Sequence, residues 1–202
     1  MKQMLAAFTA IAVVAAPALA APVVGKPAPN FKLADVNGKA VTLSDYRGKT
    51  VVLEWNNPGC PFVKKHYESG NMQKAQAAAA KDGVVWLTIN SGAPGKQGHM
   101  DGAEAKALVA SAGARPAAYL LDPRGVVGKA YDAKTTPHMY IVNKAGTLVY
   151  AGGIDNKPTP NPADIKGARN HVLAALSELK AGKAVSVTKS RPYGCSVKYP
   201  DS

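Results

Sequence analysis

The run Thr50-Val51-Val52-Leu53-Glu54-Trp55 is β-branched and apolar and reads as a buried strand. Asn56-Asn57-Pro58-Gly59 breaks it, and from Cys60 and Pro61 to about Ala80 the residues are helix formers. A buried strand that turns at once into a helix commits the chain to layers of sheet and helix. It also sets Cys60 between a strand end and a helix start, with Pro61 at the first helical position. A thiol in that place feels the partial positive charge of the helix N-terminus, which lowers its pKa and populates the reactive thiolate. The bland alternative is an inert buried thiol or half of a stabilising disulfide.

The rest of the chain repeats the alternation. Short strand-like pieces at 31–34 and 40–43 flank an Asn37-Gly38 turn. A buried strand at 84–90 leads into a glycine-rich loop at 91–100. Asp101 caps a helix predicted to run to Ala112, and Gly113 ends it. A short strand at 117–121 and a short helix at 124–131 follow. Thr135-Thr136-Pro137 leads into a strand at 138–142, and Lys144-Ala145-Gly146 turns into another at 147–151. After a proline-rich loop at 153–162, one helix is predicted over 162–181. The order β-α-β-α-β-(α)-β-β-α calls for an α/β fold with a central, mainly parallel sheet to which the closing hairpin adds an antiparallel pair. One domain, 21–182, accounts for it, followed by a polar tail at 183–202 that carries Cys195.

Residues 1–20 read as a signal peptide. Met1-Lys2 is a short positive start, Leu5 to Leu19 is mostly apolar, and Ala18-Leu19-Ala20 is a small-x-small cleavage site. The expected mature protein begins at Ala21 and is periplasmic or secreted, a compartment that permits disulfides. Two cysteines are too few for a disulfide scaffold, so one redox-active pair is the natural account. Lys2 is the only charged residue before Ala21, which leaves 24 Lys/Arg against 13 Asp/Glu, a net charge of +11. The lysines are scattered, without the basic stripe of a nucleic-acid binder, so the charge points to solubility and acidic partners. No later segment is long and apolar enough for stable membrane insertion. No phosphate loop, dinucleotide glycines, serine triad or zinc-spaced Cys/His set is present, so no cofactor and no metal is expected.

Four pieces together resemble the thioredoxin-fold superfamily, in its peroxiredoxin-like branch, the alkyl hydroperoxide reductase/thiol-specific antioxidant family. They are Gly25-Lys26-Pro27-Ala28-Pro29-Asn30-Phe31 with Leu43-Ser44-Asp45-Tyr46-Arg47-Gly48-Lys49, the strand-turn-Cys60-helix element, Thr135-Thr136-Pro137, and the final hairpin and helix. The resemblance covers about residues 23–181. It implies a thioredoxin-like fold, a central mixed sheet flanked by helices with an N-terminal extension and a C-terminal tail. It also implies that Pro137 is cis and faces Cys60. The chain departs from the pattern at two places. Asn57 stands where thioredoxins carry a second cysteine and where typical peroxiredoxins carry threonine or serine. Leu53 stands where the latter carry proline.

The resulting expectation is an exported thiol-disulfide oxidoreductase or peroxiredoxin-like antioxidant protein. Cys60 attacks and Cys195 resolves the oxidised intermediate. With no other thiol in the mature chain, these two bond in the oxidised protein. Asn57, Pro58, Pro61, Thr136, Pro137 and His138 are expected to bind substrate or tune the thiol, with His138 either at the rim or a partly buried strand histidine. Lys64 and Lys65 are expected on an ordinary solvated helix face. The partner is a protein disulfide or dithiol, or a peroxide. Two alternatives stay open. Cys60, Cys195 and His138 supply two soft ligands and an imidazole for a copper chaperone. A non-catalytic binding module would use the same cysteines in a structural disulfide.

Overall fold

The computed structural model describes residues 21–201, so the expected signal peptide lies outside the described residues. The strands are β1 (Lys32–Asp35), β2 (Ala40–Thr42), β3 (Val51–Trp55), β4 (Val85–Asn90), β5 (Ala118–Leu121), β6 (Thr135–Thr136), β7 (His138–Val142), β8 (Leu148–Gly152) and β9 (Cys195–Ser196). The helices are α1 (Pro61–Glu68), α2 (Asn71–Lys81), α3 (Gly102–Ser111), α4 (Val126–Ala130) and α5 (His171–Lys180).

Seven strands form one sheet in the order β2-β1-β5-β4-β3-β7-β8. β3, β4 and β5 are parallel, and the remaining neighbours pair antiparallel. β3 lies between β4 and β7, and every residue in it is buried. Its alternation divides the core. Val51, Leu53 and Trp55 enter one apolar cluster with Leu87, Ile89, Tyr131 and Tyr140. Val52 enters the other with Met72 and Ala75 of α2, Val172 and Leu176 of α5, and Tyr193 of the tail. A strand covered on both faces reads as a continuous apolar run, which is why 50–56 is so legible.

The helix expected from Cys60 to Ala80 is two helices. Gly70 adopts φ +73°, a left-handed conformation that glycine enters at little cost, and the chain turns there between α1 and α2. The single helix expected over 162–181 is likewise interrupted. A 3-10 turn at Pro162–Gly167 precedes α5, and the Asn170 side chain accepts the Leu173 N–H as the cap of a new helix. At Asp101 the capping box is complete: Asp101 accepts the Glu104 N–H and Glu104 accepts the Asp101 N–H.

The tail packs along the domain. Ala151 N–H donates to Thr188, Ser190 N–H to Ala151, Val197 N–H to Lys134, and Ala93 N–H to Lys198. β9 pairs antiparallel with β6 in a separate two-stranded sheet, which sets Cys195 opposite Thr136.

Candidate active site

The turn that ends β3 builds the site. Asn57 Oδ1 accepts the Gly59 N–H at 2.9 Å, and the Asn57 carbonyl accepts the Cys60 N–H at 3.0 Å. Cys60 then occupies the N-cap of α1 with extended backbone, and Pro61 begins the helix. The Cys60 carbonyl accepts the N–H groups of Val63 and Lys64, so the first turn is closed. Cys60 is fully buried, with 0% exposure.

Two segments from the other end of the chain face this thiol. The Thr136-Pro137 peptide is cis, and the Thr136 carbonyl oxygen lies 3.1 Å from Cys60 Sγ. From the tail, the Cys195 N–H lies 3.4 Å from Cys60 Sγ. Both thiols are free, Cys60 buried and Cys195 partly exposed. Gly194 makes this approach possible. Its φ of +129° disfavours any side chain, and a β-carbon there would collide with the Thr136 carbonyl oxygen.

The two thiols titrate unequally. Burial pushes the Cys60 thiol up, but hydrogen bonds from the Cys195 thiol and N–H outweigh it, and Cys60 ends below the ordinary thiol value. Cys195 is pushed up to about 11, by burial first and then by its hydrogen bond to Cys60 and that sulfur's negative charge. The two shifts run in opposite directions, so Cys60 is the thiol of the pair that ionises first.

The remaining expected residues fall in different places. Thr136 is buried, and its hydroxyl reaches the Cys195 carbonyl at 3.4 Å. Asn57 gives its amide N–H groups to the Gln97 side chain and carbonyl, so it shapes the turn and braces the 91–100 loop. Pro58 lines an apolar slot of about 360 Å³ between α1 and α3, floored by Tyr67 and Tyr119. His138 is not at a rim. It is 6% exposed, pairs across the sheet with Trp55, and stacks on Tyr140 at 4.5 Å. Its Nδ1 accepts the Lys134 N–H at 3.3 Å. Among the described residues no three His, Cys, Asp or Glu side chains gather as a metal site. Lys65 is not on a solvated face. It is 1% exposed and donates to the Lys157 carbonyl at 2.8 Å.

Comparison with known proteins places this geometry. The family model for AhpC/TSA matches residues 24–151, more than half of the chain. The chain belongs to the AhpC/TSA family. It is 30% identical over 125 residues to thiol-disulfide oxidoreductase ResA of Bacillus subtilis, a match covering 62% of this chain and 64% of that protein. The matched stretch thus spans just under two thirds of that relative's length. Two solved structures cover nearly the whole chain. An uncharacterized conserved protein from Geobacillus kaustophilus has a TM-score of 0.74 at 29% identity, covering 89% of this chain and 94% of that one. A hypothetical protein from Sinorhizobium meliloti 1021 has a TM-score of 0.73 at 25% identity, covering 91% and 98%. A secreted Mycobacterium tuberculosis disulfide oxidoreductase shares the fold alone, with a TM-score of 0.51 at 21% identity, covering 68% of this chain and 92% of that one. The AhpC/TSA match stops at 151, so the tail that brings Cys195 to Cys60 lies beyond the matched region.

Sequence reasoning passed over one polar residue near this site. Glu54 is 0% exposed within β3. Its Oε1 accepts from Tyr67 at 2.7 Å and Asn56 at 3.1 Å, and its Oε2 from Trp86 at 2.8 Å and Thr88 at 3.1 Å. Four donors offset the cost of burying a carboxyl group. A glutamate inside an otherwise apolar strand was the signal. His66 and His138 are further buried groups, both pushed down to about 4, chiefly by burial. An unfolded histidine titrates near 6.5, so between about pH 4 and 6.5 the unfolded chain binds protons that the folded chain refuses. Stability is therefore expected to rise with pH across that window. At pH 5 the loss should be on the order of 2 kcal/mol per ring relative to neutral pH. Urea midpoints at pH 5 and pH 7 check this, and equal midpoints would contradict neutral buried rings.

Proposed function

We propose that this protein is an exported thiol-disulfide oxidoreductase in which Cys60 is the attacking thiolate and Cys195 the resolving thiol. The observation that carries the reading is the meeting of the two cysteines. The pairing of β9 with β6 and the conformation of Gly194 bring the Cys195 N–H to 3.4 Å from Cys60 Sγ across 135 residues of chain. The names of the ResA relatives agree with this activity. In the cycle, the Cys60 thiolate attacks one sulfur of a partner disulfide and expels the other as a thiolate. The Cys195 thiol then gives up its proton and attacks Cys60 Sγ. That step releases the reduced partner and leaves a Cys60–Cys195 disulfide, which an external dithiol reduces as it becomes a disulfide itself.

The complete burial of Cys60 under the tail favours a second reading for the oxidising half-reaction, in which the oxidant is a small peroxide. The thiolate attacks one peroxide oxygen, the other departs as alcohol or water, and the resulting sulfenic acid condenses with Cys195 to a disulfide and water. Asn57 spends its amide on Gln97 and gives this route no extra donor. Export rests on residues 1–20, with the mature N-terminus expected at Ala21.

A redox titration on protein recovered from its native source, after N-terminal sequencing, tests the reading. The pair is expected to titrate as one two-electron couple above about −300 mV, the range of bonds that cycle. A potential below that value would assign the bond a structural role and support a non-catalytic module.

A further inference from the structure

Beneath the tail lies a buried polar cluster that the redox step does not use. Tyr193, two residues before Cys195, is 8% exposed and packs its ring on Phe62 of α1 with centroids 5.9 Å apart. Its hydroxyl donates to Asp155 Oδ1. His66 Nε2, on the same helix as Phe62, lies 3.2 Å from that hydroxyl, and His66 Nδ1 lies 2.8 Å from Asn71 Nδ2. An amide nitrogen only donates, so Nδ1 is the acceptor and Nε2 carries the proton. The chain is then directional: Asn71 donates to His66, His66 to Tyr193, Tyr193 to Asp155. Lys65 closes it, with Nζ 3.9 Å from Asp155 Oδ2 and 5.6 Å from the centre of the Tyr193 ring. The side chains of Lys65, His66 and Asp155 are at most 2% exposed.

We propose that Tyr193, gripped between His66 and Asp155, is a positioning residue that latches the tail to the helix bearing Cys60 and so sets the effective concentration of the Cys195 thiol. The inference rests on the Cys60–Cys195 reading above. Several features place the latch at Tyr193. α1 begins with Cys60 and carries Phe62, Lys65 and His66, so a contact to this helix fixes Cys195 relative to Cys60 directly. The other tail contacts reach β6, β8, α5, the 91–100 loop and the segment before β6. Release of Tyr193 would leave the His66 N–H without a partner and Asp155 Oδ1 with the Lys157 N–H alone, so docked and undocked tails differ in free energy. A thiol held by such a contact behaves as if present at high local concentration, which favours closure of the disulfide over mixed disulfides with outside thiols. The neutral ring of His66, held by burial at a pKa of about 4, keeps the same polarity at all ordinary pH values.

The test compares the purified protein with its Tyr193→Phe, His66→Leu and His66→Gln variants. Phenylalanine keeps the ring packing on Phe62 and removes only the hydroxyl. Leucine removes the donor to Tyr193, and glutamine restores a donor near the same place. Each protein is equilibrated with reduced and oxidised glutathione, and the intramolecular disulfide is counted by mass spectrometry. The rate of Cys60 alkylation by iodoacetamide is measured on the reduced form. Tyr193→Phe and His66→Leu are expected to lower the equilibrium constant for closure by roughly tenfold, a shift of about +30 mV. They are expected to speed Cys60 alkylation by a similar factor as the tail undocks, while His66→Gln returns most of both effects. Values within twofold of wild type for Tyr193→Phe and His66→Leu would overturn the latch. A wild-type protein that forms no Cys60–Cys195 disulfide would instead overturn the redox pair, and the alkylation ratio alone would then decide the latch.

Discussion

Cys60→Ser is expected to remove thiol-dependent turnover, with a loss of roughly a thousandfold or more against either a disulfide or a peroxide. Serine keeps the size and the N-cap position but supplies no thiolate near neutral pH. The burial of Cys60 and the closed first turn of α1 mean that the substitution changes the chemistry with little change of backbone. Circular dichroism should therefore match wild type while activity is lost. Retention of more than about a tenth of the activity in Cys60→Ser would transfer the chemistry elsewhere and leave Cys60 a packing residue.

Replacing Cys195 should produce an equally large effect of a different kind. In Cys195→Ser the first half-reaction proceeds and the second cannot, so Cys60 is trapped as a mixed disulfide or, after peroxide, as a sulfenic acid. Steady-state turnover should fall by about a hundredfold or more, and trapping by a sulfenic-acid reagent should rise from near zero to stoichiometric. Cys195→Ala carries a further signature. The Cys195 thiol is one of the donors that hold Cys60 below the ordinary thiol value, so its loss should move the pH midpoint of Cys60 alkylation upward. Greater access in the variant raises the rate plateau and, by relieving burial, moves the midpoint down, so an upward shift comes from the lost hydrogen bond. An unchanged midpoint would show that the two sulfurs are not hydrogen-bonded, and undiminished turnover in Cys195→Ser would remove Cys195 from the cycle.

The elements easiest to read in the sequence are those with the fewest ways of being satisfied. β3 and β4 are buried on both faces, so their composition is nearly determined, and their limits in the sequence lie within one or two residues of those observed. The Asp101 cap is local chemistry and is equally plain. Helix interruptions were not legible. Ser69-Gly70 and Gly167–Asn170 break α-helices because the flanking segments must turn to pack α2 and α5 against the same face of the sheet, a demand that no short window of residues expresses. His138 illustrates the same limit. Its place beside Pro137 suggested a role at the thiol, but strand alternation sends its side chain to the face that holds Trp55, Tyr131 and Tyr140. Lys65 was misplaced because a lysine on a helix is ordinarily solvated, and only the fold reveals the carbonyl of Lys157 and the carboxylate of Asp155 beside it.

The sequence by itself determined the layered α/β architecture and the place of Cys60 at a helix start, because each follows from hydrophobic pattern or turn chemistry within a few residues, whereas the cis Thr136-Pro137 facing Cys60 was an expectation of the family resemblance. The tertiary structure alone decided what surrounds that thiol. The approach of Cys195, the acceptor at Thr136 and the Tyr193 contact are meetings between residues 76 to 135 positions apart in sequence. Their distances depend on how a seven-stranded sheet closes and where a tail then finds unfilled acceptors. Which of two identical side chains ionises first is set the same way. Cys60 and Cys195 differ only in burial and in which groups donate to them, and those are properties of the folded surroundings.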